Sequence, residues 1–129
     1  MAFACSFNIS EKYLLFSYEG ELTDAAINEF LEEAPQQILS HQCYKLINDY
    51  RDAILNFSPA RLIEVQQKVA EAMLTRGISL HLITRALVIN ESINNFSYSH
   101  IFETVNLNHG LNLKVFTNMD EALQWIKTQ

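Results

Sequence analysis

Val115-Phe116-Thr117-Asn118-Met119-Asp120-Glu121-Ala122-Leu123-Gln124-Trp125-Ile126 is a short apolar run that stops at a polar residue and resumes as a compact amphipathic helix. Met119, Ala122, Leu123 and Ile126 recur at helical spacing and form one inner stripe. A helix docked directly after a strand closes a layered α/β arrangement, so this tail marks where sheet and helix meet. It carries the only tryptophan of the chain and no recognisable chemistry.

Working back from the tail, residues 111–117 read as a fifth strand. A helix is expected over about 95–108, with Tyr98, Ile101, Phe102 and Val105 on one face and Gly110 beyond its end. Residues 82–89, centred on Ala86-Leu87-Val88-Ile89, read as a buried fourth strand. Ser58-Pro59 is a strong helix start, Ser at the N-cap and Pro at the first helical position, where its missing N–H is not needed. Leu62, Val65, Val69, Ala72 and Met73 supply the buried stripe of that helix, and Gly77 its left-handed stop. Tyr44-Lys45-Leu46-Ile47-Asn48 is the third strand, followed by a polar segment, Asp49 to Asp52, and a loop.

Nearer the N-terminus, Thr23 is the expected N-cap of a helix with Asp24 in its first turn. Ile27, Phe30, Leu31, Ala34 and Ile38 share one face, and the phase holds across Pro35, so a kink or two abutting helical pieces are expected there. Residues 3–9 and 13–18 alternate and read as an antiparallel hairpin, with Gly20 ending the second strand. The fold class is therefore α/β, a single open mixed sheet of about five strands in the order β-β-α-β-α-β-α-β-α. The sheet is mostly parallel, with an antiparallel N-terminal edge.

The chain has 129 residues, enough for one core and too few for two, and residues 1–129 are read as a single domain. Hydrophobic residues make up 49% and charged ones 19%, a globular composition, and 3 Gly with 2 Pro leave little material for linkers. A net charge of −6 with 9 scattered basic residues argues against a nucleic-acid partner and against an anionic membrane surface. No basic leader and no span of roughly 20 apolar residues is present, so stable membrane insertion is not expected and the cytoplasm is the expected location. Cys5 and Cys43 lack metal-type spacing and read as reduced, partly buried thiols.

At this point the chain resembles the bacterial SpoIIAA-like superfamily, which includes the STAS domains, through nearly its whole element order. The likeness is sharpest in Leu46-Ile47-Asn48-Asp49-Tyr50-Arg51-Asp52, an apolar strand running into Asp, and in the tail quoted above. The resemblance implies a non-enzymatic regulatory, ligand-binding or protein-interaction module. Antagonists of anti-sigma factors in this group carry a phosphorylated serine in an Asp-Ser-x-Gly pattern at the helix start after the third core strand. The matching stretch here is Asn56-Phe57-Ser58-Pro59-Ala60-Arg61-Leu62. Ser58 stands at that place without the pattern, and from its own surroundings it reads as an N-cap.

Ligands of open α/β sheets gather beyond the carboxyl ends of the strands. That rule collects Asp49, Arg51 and Asp52, then Ser58 and Arg61, then Asn90 with Glu91, as the candidate binding or interaction surface. Two readings follow, a protein contact centred on Ser58 and Arg61, or a small ligand, either an anion held by Arg51 and Arg61 or a lipid-like molecule under the helices. A weak hydrolase using Asp49 and Asp52 is a third, less favoured reading. No catalytic residue is assigned. Glycine is too sparse for a nucleophile elbow, a phosphate loop or a dinucleotide fingerprint, so no cofactor is expected. His100 with Glu103, and His41 with Cys43, are isolated pairs, and no metal site is expected. Tyr13, Tyr18, Tyr50 and Phe57 are the aromatics left over for a homodimer surface or an apolar pocket, and the hairpin edge is the natural place for self-association.

Overall fold

The computed structural model describes residues 2–55, 58–90 and 112–129. The helix expected over 95–108 lies outside these residues, as do Asn56, Phe57, Glu91 and the histidine pair partner Glu103 with His100.

Strands β1 (Ala2–Asn8) and β2 (Tyr13–Glu21) form the antiparallel hairpin, in register from Ala2 opposite Glu19 to Asn8 opposite Tyr13. The Asn8 side chain accepts from the Glu11 amide at 2.9 Å, and Lys12 closes the turn in the left-handed region at φ 58°. Such a side-chain-to-backbone bond is what Asn offers a tight turn. Helix α1 (Asp24–His41) starts at Thr23, whose Oγ1 accepts from the Ala26 amide at 3.2 Å, and ends at Gln42 in the left-handed conformation. It runs as one helix through Pro35, which is buried in phase with Ala34 and Ile38.

Strand β3 (Lys45–Ile54) follows, then helix α2 (Pro59–Thr75), a short 3-10 turn at Leu80–Leu82, strand β4 (Thr84–Val88), strand β5 (Asn112–Phe116) and helix α3 (Met119–Lys127). The spatial order of the strands is β1-β2-β3-β4-β5, parallel from β2 onward. The mixed five-strand sheet read from the sequence is the observed one.

Two of the boundaries that differ from the sequence reading share one reason. The polar stretch Asp49 to Asp52 continues the third strand instead of following it, and β2 runs on through Gly20 to Glu21. A register shift between Ser17 and Glu19 brings Glu19 opposite Asp52, Gly20 opposite Ala53 and Glu21 opposite Ile54. Each extension supplies the hydrogen-bonding partner of the other, and glycine tolerates the φ of 87° that the chain adopts at Gly20. At β4 the strand begins at Thr84, because residues 80–82 turn instead of extending.

Helices α1 and α2 cover one face of the sheet, burying Phe16, Leu46 and Leu87 against Phe30, Ile38, Leu62 and Met73. Helix α3 covers part of the other face, where Ala122 and Ile126 meet Ile47, Ala86 and Val88. Each fully buried large side chain contributes about 1.5–3 kcal/mol. Trp125 is half-buried and leans on Phe116 at 5.7 Å between ring centroids, so it packs at the margin of this second core.

Candidate functional site

The period of two along β3 sends Leu46, Asn48 and Tyr50 toward α1 and α2, and Ile47, Asp49 and Arg51 toward the α3 side. Asp49 and Arg51 are thereby neighbours on one face. Arg51 Nε lies 2.9 Å from Asp49 Oδ1 and Nη2 lies 3.0 Å from Oδ2, a two-point carboxylate–guanidinium pair. The Arg51 amide adds a third bond to Asp49 Oδ1 at 3.1 Å. These hydrogen bonds to Asp49 push the guanidinium pKa further up, partial burial opposes them, and the charges of Asp49, Asp52 and Asp120 reinforce them.

Asn90, just beyond β4, donates from Nδ2 to the Arg51 carbonyl at 3.2 Å. Arg51, Asp52, Ile89, Asn90 and Thr117 line an open cleft of about 590 Å³ at the carboxyl ends of β3, β4 and β5. Of the seven residues singled out from the sequence, Asp49, Arg51, Asp52 and Asn90 are therefore brought together, and Glu91 lies outside the described residues.

Ser58 and Arg61 belong to a second group. Ser58 Oγ accepts from the Arg61 amide at 3.2 Å and is the N-cap of α2. The Arg61 guanidinium donates to Glu64 Oε1 at 2.8 Å and to Asp24 Oδ1 at 2.5 Å, so it fastens the start of α2 to the start of α1. The bond to Asp24 raises its pKa most, ahead of the charges of Asp24 and Glu64. Both arginines are thus engaged by carboxylates, and neither Ser58 nor Arg61 lines the cleft.

A third cluster was not singled out from the sequence. Arg85, only 4% exposed, is buried between the sheet and the two helices. Its Nε donates to Asn48 Oδ1 at 2.8 Å, its Nη1 donates to Gln66 Oε1 at 3.0 Å, and its guanidinium carbon lies 5.7 Å from the Phe30 ring centre. The donor-only guanidinium fixes which end of each amide faces it. Asn48 Nδ2 has no hydrogen-bond partner among the described residues. Tyr18 and Tyr50, left over as aromatics in the sequence, stack at 4.8 Å beside this group and are themselves buried. Burial pushes the pKa of both phenols up. The neighbouring Tyr50 raises that of Tyr18 further, and the charge of Arg85 opposes the rise in both.

Tyr18, Tyr50, Gln66 and Arg85 border a void of about 20 Å³ together with apolar side chains, room for no more than a water-sized guest. The sequence held a signal for this cluster. Arg85 interrupts the apolar run Ile83 to Ile89, and Gln66 falls in phase with Leu62 and Val69 on the buried stripe of α2.

Among the described residues no group of three or more His, Cys, Asp and Glu side chains is arranged to hold a metal ion. No described helix is long and apolar enough to cross a membrane.

Comparison with protein-family models and with curated sequences yields no match. Comparison with solved structures does. The anti-sigma factor antagonist SpoIIAA in its unphosphorylated form is similar at a TM-score of 0.62 and 10% identity, over 99% of this chain and 100% of that one. An uncharacterised DUF3478 protein with a SpoIIAA-like fold from Shewanella loihica PV-4 is similar at 0.59 and 15% identity, over 97% and 92%. An anti-sigma factor antagonist from Mycobacterium paratuberculosis is similar at 0.57 and 14% identity, over 98% and 93%. With its strand order, its mixed sheet and these likenesses, the chain has the SpoIIAA-like α/β fold.

Proposed function

We propose that this protein is a regulatory module that works by binding another protein through the surface at the carboxyl ends of its parallel strands. The observation that carries this reading is the open cleft lined by Arg51, Asp52, Ile89, Asn90 and Thr117. Small-molecule sites usually enclose most of their ligand within apolar walls. An open, polar cleft with an exposed arginine held at two points by Asp49 suits a macromolecular partner better, because a pre-oriented guanidinium loses little freedom on binding.

Two of the similar structures are anti-sigma factor antagonists, one of them in its unphosphorylated form. This supports a regulatory role and directs attention to Ser58. The Ser58 side chain is exposed at the first turn of a 17-residue helix, where backbone N–H groups favour negative charge. A phosphoryl group there would compete with Asp24 for Arg61 and loosen the tie between α1 and α2. The hydrolase reading loses ground, since both carboxylate oxygens of Asp49 are committed to Arg51.

The test is quantitative capture with the wild type and with Arg51→Glu, Ser58→Glu and, as a distant exposed control, Glu71→Lys. A protein retained by the wild type and the control, and lost with Arg51→Glu and Ser58→Glu, is the expected result. An identical set of captured proteins across all four would remove the proposal.

A further inference from the structure

At the opposite end of the sheet, near the amino ends of β3 and β4, lies a second cleft of about 610 Å³. Its size is within the range of small-molecule sites. Its walls differ from those of the first. Phe7 stacks on the His41 ring at 4.3 Å between centroids, and Ile9 and Leu82 are 78% and 58% exposed beside them. Isolated exposed apolar residues are ordinary, but several converging on one concavity are a feature of binding surfaces.

Lys12 and Lys45 also line this cleft. Their backbones are brought together by the buried Cys43 thiol, which lies 3.5 Å from the Lys12 carbonyl and 3.5 Å from that of Lys45. Neither lysine is in an ion pair with a described residue, whereas Arg51, Arg61, Lys68 and Lys127 all are. Glu11, the acid next to Lys12 in the chain, is taken by Lys127 at 3.4 Å. The carboxyl end of α1 also points to this region through His41 and Gln42, and contributes about half a negative charge, which two ammonium groups outweigh. Gln129 also lines the cleft, and charges elsewhere on this acidic chain are screened beyond about 8 Å at physiological salt.

We infer that this second cleft binds a small amphiphilic organic anion, an acid head group on an alkyl chain or an aromatic ring. The head is held between Lys12 and Lys45, and the apolar body lies along Phe7, Ile9 and Leu82. A bare inorganic anion would leave the apolar walls in water, and a neutral apolar molecule would gain nothing from the lysines. The site is independent of the carboxyl-end surface and does not rest on the function proposed for it.

Octanoate is the probe, with octanol and inorganic phosphate as comparators, and binding is read from the backbone amide shifts of the full chain. Saturable shifts at residues 9, 12, 41–45 and 82 are expected with octanoate, and weaker ones with octanol. The variant Lys12→Asn with Lys45→Gln removes both charges, and Asn suits the left-handed conformation at position 12. It should bind octanoate about tenfold more weakly or worse, the size expected for two partly solvated charges. An unchanged far-UV spectrum and melting temperature keep that result interpretable. Absence of saturable shifts at millimolar octanoate, shifts confined to Asn90 and Thr117, equal binding of octanol, or unchanged binding by the variant would each overturn the assignment.

Discussion

Replacing Gln66 by Leu isolates what the buried Arg85 cluster contributes. Gln66 is 5% exposed and Arg85 4%, so bulk water does not reach the pair, and only the water-sized void beside them could offer a replacement partner. Leu has nearly the shape of Gln, and no large cavity is left. What is lost is the 3.0 Å bond from Arg85 Nη1, a bond to a charged donor worth about 1.5–3 kcal/mol. We expect Gln66→Leu to cost about 2 kcal/mol, a drop in melting temperature of roughly 6 °C for a chain of this size.

The companion variant, Arg85→Met, removes the charge and leaves two amide acceptors, on Asn48 and Gln66, without a donor. In that background Gln66→Leu removes one of the two orphans. Its cost should vanish or reverse sign, giving a coupling of about 2–3 kcal/mol in the four-way cycle. Urea unfolding followed by the fluorescence of Trp125, half-buried against Phe116, measures all four proteins. A cost below about 0.5 kcal/mol, or the same cost in both backgrounds, would refute the idea that Arg85 depends on Gln66 for its burial.

The stacked phenols of Tyr18 and Tyr50 are held protonated by burial, so the unfolded chain releases these protons first as pH rises. Their contribution is complete below pH 10, the ordinary phenol value, and is lost as pH climbs toward the raised folded values. An ultraviolet titration should therefore show two phenols ionising only together with alkaline unfolding, and ionisation of all five tyrosines near pH 10 in the folded protein would contradict it. Burial, and then the charge of Glu33, push the Cys5 thiol from 9.0 to about 11. At pH 8 its alkylation should run about tenfold slower than that of an unperturbed thiol, the scarcer thiolate being partly offset by its greater nucleophilicity, and comparable rates by mass spectrometry would argue against that environment. Ser58→Ala removes the N-cap of α2 and should cost about 1 kcal/mol in urea unfolding, whereas a cost of zero would mean that the first turn is already frayed.

Periodicity made the sheet legible. Alternation in residues 3–9, the apolar run Ala86 to Ile89 and the stripes of α1, α2 and α3 are all local signals of burial. Residues 49–52 were not legible as strand, because Asp49, Arg51 and Asp52 are polar and their extended conformation comes from pairing with β2, a partner far off in sequence. The same residues were legible as lying near a strand end, since its position follows from topology alone. The separation of Ser58 and Arg61 from Asp49 and Arg51 was not, because it depends on Asp24, a residue of another helix, capturing the Arg61 guanidinium. Arg85 was overlooked because a cation within an apolar strand looks like an interruption until the facing helix is known to bring an amide to it.

The order β1-β2-β3-β4-β5 means that no strand has to be threaded between two others already paired. Each new strand adds to the free margin left by its predecessor, so the sheet can grow in the direction of synthesis. The helices do not share this neutrality. The first two shield one side early, while Ile47, Ala86 and Val88 on the reverse side wait for Ala122 and Ile126 from the end of the chain. A chain stopped before residue 119 would lack the cover that Ala122 and Ile126 lay over Ile47, Ala86 and Val88, and apolar surface of that kind is what chaperones recognise and aggregation exploits.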